Sequence, residues 1–113
     1  MECLKEDLII EGMELIAFNI ISSVGTARSC FIEAIQEAKA NNIERAKELI
    51  AEGSEVFVIG HHAHAELIQK EASGEATPFS LLLMHAEDQL MSAEAFKILA
   101  EEFIDMYQLV HSK

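Results

Sequence analysis

Apolar residues recur along this chain at alternating spacings of three and four, and that rhythm predicts three long helices. Between about Glu6 and Ala40, the residues Ile9, Met13, Ile16, Ile20, Val24, Ala27, Phe31, Ala34 and Ala38 keep the period. From about Ile43 to Ala72, a second buried side is drawn by Ile43, Ala46, Leu49, Ile50, Gly53, Val56, Phe57, Gly60, Ala63, Leu67 and Ile68. The third helix is expected from Pro78 to about His111. Alternation of period two is nowhere sustained, so strands are not expected.

The polar positions punctuate this pattern. Asn41 and Asn42 separate the first two helices, and Asn42 suits the cap of the second. Ser73 and Gly74 end it, with Gly74 in the left-handed stop position. Thr77 then offers a cap and Pro78 a first helical turn, where its missing N–H costs nothing. Inside the first helix, Ser22, Ser23 and Gly25 are weaker helix formers that predict a kink or a close helix crossing. Gly53 and Gly60 lie seven apart on one face of the second, which lets a neighbouring backbone approach.

Long helices with short connections pack antiparallel, so the expected fold is all-α, a single domain over residues 1–113 built as an up-down-up three-helix bundle. The third helix is apolar over most of its circumference, which predicts burial on several sides and an oligomer whose shared axis it lines. One of its faces runs Leu81, His85, Asp88, Ser92, Ala95, Leu99, Phe103, Met106 and Val110. His85 and Asp88 interrupt that apolar seam, and polar groups in a seam are costly without partners.

Charge narrows the partners. Twenty Asp and Glu against eight Lys and Arg give a net charge of −12. That balance disfavours nucleic acid and anionic membrane surfaces, which require basic patches, and suits a basic protein partner. Lys5, Glu6 and Asp7 break up the start of the chain, so no signal peptide is expected. The uninterrupted apolar runs are too short for a membrane span, so no direct membrane insertion is expected. Cys3 and Cys30 stand far apart in no spaced motif, which fits free thiols in a reducing cytoplasm.

The candidate chemistry rests on the five histidines, His61, His62, His64, His85 and His111. His61 and His64 have a spacing that can bind a metal, although a histidine-rich exposed turn is the commoner meaning. No Glu-x-x-His pair of a di-iron bundle, no HExxH, no Gly-rich phosphate loop and no nucleophile elbow is present. His85 is different. Imidazole is a nucleophile near neutral pH, able to accept a phosphoryl group in line and release it again. If three copies of the third helix met at an axis, three Asp88 carboxylates would converge. At separations of about 5 Å and an effective dielectric of about 20, each pair would repel by roughly 3 kcal/mol. A divalent cation such as Mg2+, or protonation of one carboxylate, would relieve that repulsion.

Met84-His85-Ala86-Glu87-Asp88-Gln89-Leu90-Met91 resembles the M-H-x-Q-D-H-L-M signature of the lactose/cellobiose-type IIA components of the sugar phosphotransferase system. Gly25-Thr26-Ala27-Arg28-Ser29 is similar to that family's G-x-A-R-S, and the Asn41-Asn42-Ile43 break sits at its G-D-F turn. His61 matches the first histidine of its H-x-x-Q-x-x-L-I segment, and residues 71–75 look like the loop before the signature helix.

The resemblance implies a homotrimer of three-helix protomers. It implies that His85 accepts phosphate from the phosphocarrier HPr and passes it to a cysteine of the IIB component, for uptake of a lactose-, cellobiose- or chitobiose-class disaccharide. It also implies that Asp88 binds a metal ion at the trimer axis. Glu87 and Gln89 depart from the signature's Gln and second His, and His64 and Ala65 replace a Gln and a Thr. The rival expectation is a relay-inactive oligomerisation or regulatory module of the same fold, favoured by Glu87 and Gln89. A bundle binding metal through His61 and His64 is a third.

Overall fold

The computed structural model describes the backbone of residues 2–78 and 80–113 and the side chains of residues 12–78 and 80–113. Three helices follow one another: α1 (Glu2–Lys39), α2 (Ile43–Ala72) and α3 (Leu81–His111). No strand occurs among the described residues. The His111 ring Nε2 lies 3.1 Å from the Lys39 carbonyl oxygen, so α1 and α3 end together and run parallel, with α2 antiparallel between them in sequence. Ile9 and Cys3, read above from the sequence, have side chains outside the described set.

The buried apolar positions alternate spacings of three and four, broken once on α3, where half-buried Lys97 takes the place between Ala93 and Ala100. On α1 they are Ala17, Ile20, Val24, Ala27, Phe31, Ala34 and Ala38; on α3 they are Leu83, Ala86, Leu90, Ala93, Ala100 and Ile104. This period of 3.5 residues suits long helices crossing at a shallow angle with interlocking side chains. Both α2 and α3 pack mainly on α1 and touch each other much less. The central helix is therefore α1, and within one protomer α3 is buried on its α1-facing side. Its outer face leaves Leu81 77%, Met91 67% and Leu109 65% exposed.

Glycine explains the closeness of α1 and α2. A Cβ at Gly53 would lie 2.6 Å from Phe31 Cε1, and one at Gly60 would lie 2.8 Å from both Ser23 Oγ and Val24 Cγ1. The predicted crossing thus falls at Ser23, whose hydroxyl donates to the Asn19 carbonyl (2.8 Å) rather than breaking the helix. Gly25 faces open space and takes no part in it. Ile68, expected on the buried side of α2, is exposed.

The helix ends follow local rules. Asn41 adopts φ 67°, and the amides of Asn41 and Asn42 donate to the carbonyls of Ala38 and Glu37, which closes α1. Gly74, at φ 96°, closes α2 in the same way, with Gly74 and Glu75 amides on Glu71 and Lys70. Asn42 precedes α2 but makes no capping bond. Its side-chain amide donates to Glu37 Oε2 at 2.8 Å instead. The third helix opens later than Thr77 and Pro78 suggest. Ser80 is its cap, with extended backbone and its hydroxyl accepting from the Leu83 amide at 3.0 Å.

The stretch Gly12–Lys39 is long and apolar enough to cross a membrane, contrary to the expectation from uninterrupted runs. Its apolar side chains Ile20, Val24 and Phe31 are fully buried against α2 and α3, the pattern of a core helix.

Candidate functional site around His85

The first turns of α3 are fixed from inside. Leu83, Ala86 and Leu90 join Ala17, Ile20 and Val24 of α1 and Leu67 of α2 in one apolar cluster. His85 and Asp88 fall between those buried positions and face outward, both exposed. Leu81, Met84 and Met91 surround them with exposed apolar surface. The structure thus brings His85 and Asp88 onto one outer face, as the spacing of three requires.

Their neighbours engage other helices. Glu87, two residues from His85, lies on a different side of α3, whereas Gln89, four residues on, shares the His85 side and is drawn to α1. Glu87 Oε1 lies 3.4 Å from His64 Nε2 on α2, an ion pair whenever that imidazole is protonated. Gln89 Oε1 accepts a hydrogen bond from Arg28 Nη1 on α1 at 3.1 Å. The Arg28 guanidinium also sits 5.3 Å from the centre of the Phe96 ring, so one of the chain's few cations is held against α3 by two contacts. Sequence reasoning singled out Arg28, His64, Glu87 and Gln89 separately and did not pair them. The available signal was that three of the four depart from the family's motifs, Glu87 and Gln89 from the signature and His64 from the segment on α2.

The histidines on α2 are engaged apart from each other. His61 stacks on Phe57 with ring centres 6.1 Å apart, whereas His64 faces Glu87. Asp88 stands alone, and among the described residues no three His, Cys, Asp or Glu side chains gather closely enough to hold an ion. A metal at Asp88 therefore requires carboxylates from further copies of the chain. A cleft lined by Glu71, Thr77, Pro78, Ser80, Leu83, Met84 and Glu87 opens beside the first turn of α3.

Half-buried Cys30 carries a free thiol on α1, away from this face. Burial pushes its pKa up from the ordinary 9.0, and the Glu52 and Glu33 carboxylates add to the rise against a smaller opposing effect of Arg45.

Residues 15–108 match the family described as the PTS system, lactose/cellobiose specific IIA subunit. The oligo-β-mannoside-specific EIIA component of Bacillus subtilis (strain 168) is 44% identical over 84% of this chain and 86% of its own length. The lichenan-specific enzyme IIA component of the same organism is 42% identical over 88% and 91%. Among solved structures, the cellobiose-specific enzyme IIA from Bacillus anthracis superposes with a TM-score of 0.86 at 44% identity, over 89% of this chain and 93% of that one. With the signature helix, the three-helix fold and this coverage in agreement, the chain belongs to the lactose/cellobiose IIA family of the sugar phosphotransferase system, a family of phosphotransferase-system proteins.

Proposed function

We propose that this protein is a cytoplasmic IIA phosphocarrier, with His85 as its phosphoryl acceptor. A ring nitrogen of His85 attacks the phosphorus of phosphorylated HPr; the new N–P bond forms as the N–P bond to the HPr imidazole breaks. In the second half, a cysteine thiolate of the IIB component attacks the same phosphorus, and the electron pair of the His85 N–P bond returns to the imidazole. The observation that carries this reading is the exposed imidazole of His85 on the apolar outer face of α3, in a chain of this family. The relatives named for oligo-β-mannoside, lichenan and cellobiose support a β-linked di- or oligosaccharide as the transported class. Glu87 and Gln89, which favoured a relay-inactive module, both engage partners on neighbouring helices, His64 and Arg28.

The same reading includes assembly. The exposed apolar length of α3 exceeds what a monomer ordinarily leaves bare, which supports a homotrimer packed through this face. Three Asp88 carboxylates would then meet, and a hard divalent cation such as Mg2+ would neutralise them.

Incubation with enzyme I, HPr and phosphoenolpyruvate is expected to label one histidine. His85→Ala is expected to abolish labelling while the helical circular dichroism stays unchanged. Failure to label under conditions where a competent family member is labelled alongside would sink the phosphocarrier reading.

A further inference from the structure

Among the described residues, the His64–Glu87 pair is the only hydrogen bond or ion pair that joins α2 to α3. The two helices otherwise touch each other much less than either touches α1. Each residue departs from a motif that the chain otherwise resembles, Glu87 from the signature and His64 from the segment beginning at His61, and they meet although 23 positions separate them in sequence. Their side chains are 22% and 43% exposed, so the contact is worth little as a contribution to stability. Its consequence lies in where it places a charge.

Glu87 is two residues from His85 and lines the same cleft as Glu71. Without His64, its carboxylate would stand uncompensated beside that of Glu71 and leave this cleft doubly negative, next to the helix turn that must receive an anionic phosphoryl group. Like charges near that path slow its approach. We propose that His64 is a positioning residue for phosphoryl transfer, holding and neutralising the Glu87 carboxylate at α2 so that it does not oppose phosphate at His85. The inference rests on the phosphocarrier reading. The charged or titratable groups around His64 are Glu87 from α3, with Glu71 on the same cleft, and His61 one turn earlier on α2. Facing that part of α2, the α1 stretch Ile20–Val24 carries none.

Two measurements on the full chain test this. In the first, phosphoryl transfer from phosphorylated HPr is timed by rapid quench at pH 6 for the wild type, His64→Ala, and His64→Ala combined with Glu87→Gln. His64→Ala is expected to slow transfer roughly two- to fivefold at pH 6, a size suited to a partly exposed charge pair. Adding Glu87→Gln is expected to restore the wild-type rate, which a packing defect at position 64 would not allow. A His64→Ala rate equal to wild type at pH 6, or a double variant as slow as the single, overturns the proposal.

In the second, urea midpoints of the wild type, His64→Ala, Glu87→Gln and the double variant form a cycle at pH 6. Coupling between the two positions is expected from the pair itself, whatever the relay does. Absence of coupling at pH 6 overturns the pair. Coupling together with an unlabelled wild type overturns the phosphocarrier reading instead.

Discussion

Two glycines of this chain should respond to the same substitution in opposite ways. Gly60→Ala places a methyl group 2.8 Å from Ser23 Oγ and Val24 Cγ1, both at a buried crossing. The Ser23 hydroxyl is held by the Asn19 carbonyl and cannot turn aside without losing that bond. Overpacking of this kind costs about 1–3 kcal/mol, more than the gain of up to about 1 kcal/mol from replacing a helical glycine. Gly25→Ala meets open space within the protomer and should instead gain about 1 kcal/mol. Thermal melts of both variants check the contrast; a stabilised Gly60→Ala would mean that the helices separate easily at this point. Cys30 gives a pH-dependent counterpart. Its folded pKa lies above the ordinary 9.0, so below 9.0 both folded and unfolded chains keep the proton. As pH rises past 9.0, the unfolded chain releases it first and stability falls. The urea midpoint of the wild type should therefore drop relative to Cys30→Ser between pH 8.5 and 10.5.

At the scale of the helices, the start of α3 decides where His85 points. Ser80→Ala removes the oxygen that accepts from the Leu83 amide and should cost about 1 kcal/mol, whereas Thr77→Ala should be close to neutral. Denaturant unfolding of the two variants separates the positions. The same comparison marks how far the sequence could be read. The period of three and four placed all three helices, and Gly74 was legible as a left-handed stop, whereas Asn41 was legible only as a break and its αL conformation came from the structure. Thr77-Pro78 and Ser80 are equally good openings by composition, and only the packing of Leu83 in the core chooses between them. His85 and Asp88 were legible from a spacing of three. The partners of Glu87 and Gln89 were not, since His64 and Arg28 reach them from other helices.

For the whole molecule, the outer face of α3 carries the largest consequence. Within the protomer, α3 buries Leu83, Ala86, Leu90, Ala93, Ala100 and Ile104 against its neighbours and leaves Leu81, Met91, Ile98, Leu99, Met106 and Leu109 in solvent. In the proposed trimer that face becomes the shared axis, and Asp88 is its charged interruption. Asp88→Leu replaces repelling carboxylates with apolar contact, so it should lose bound divalent cation while keeping or strengthening the trimer. Leu99→Glu, two turns or more further along the same face, places new like charges at the axis and should release monomers. Sedimentation velocity with metal analysis of each purified variant distinguishes the outcomes. If Asp88→Leu sedimented as a monomer, the carboxylate would be holding the assembly together rather than straining it. If Leu99→Glu left the wild-type species intact, the copies would meet through some other surface, and the exposed length of α3 would need a different occupant.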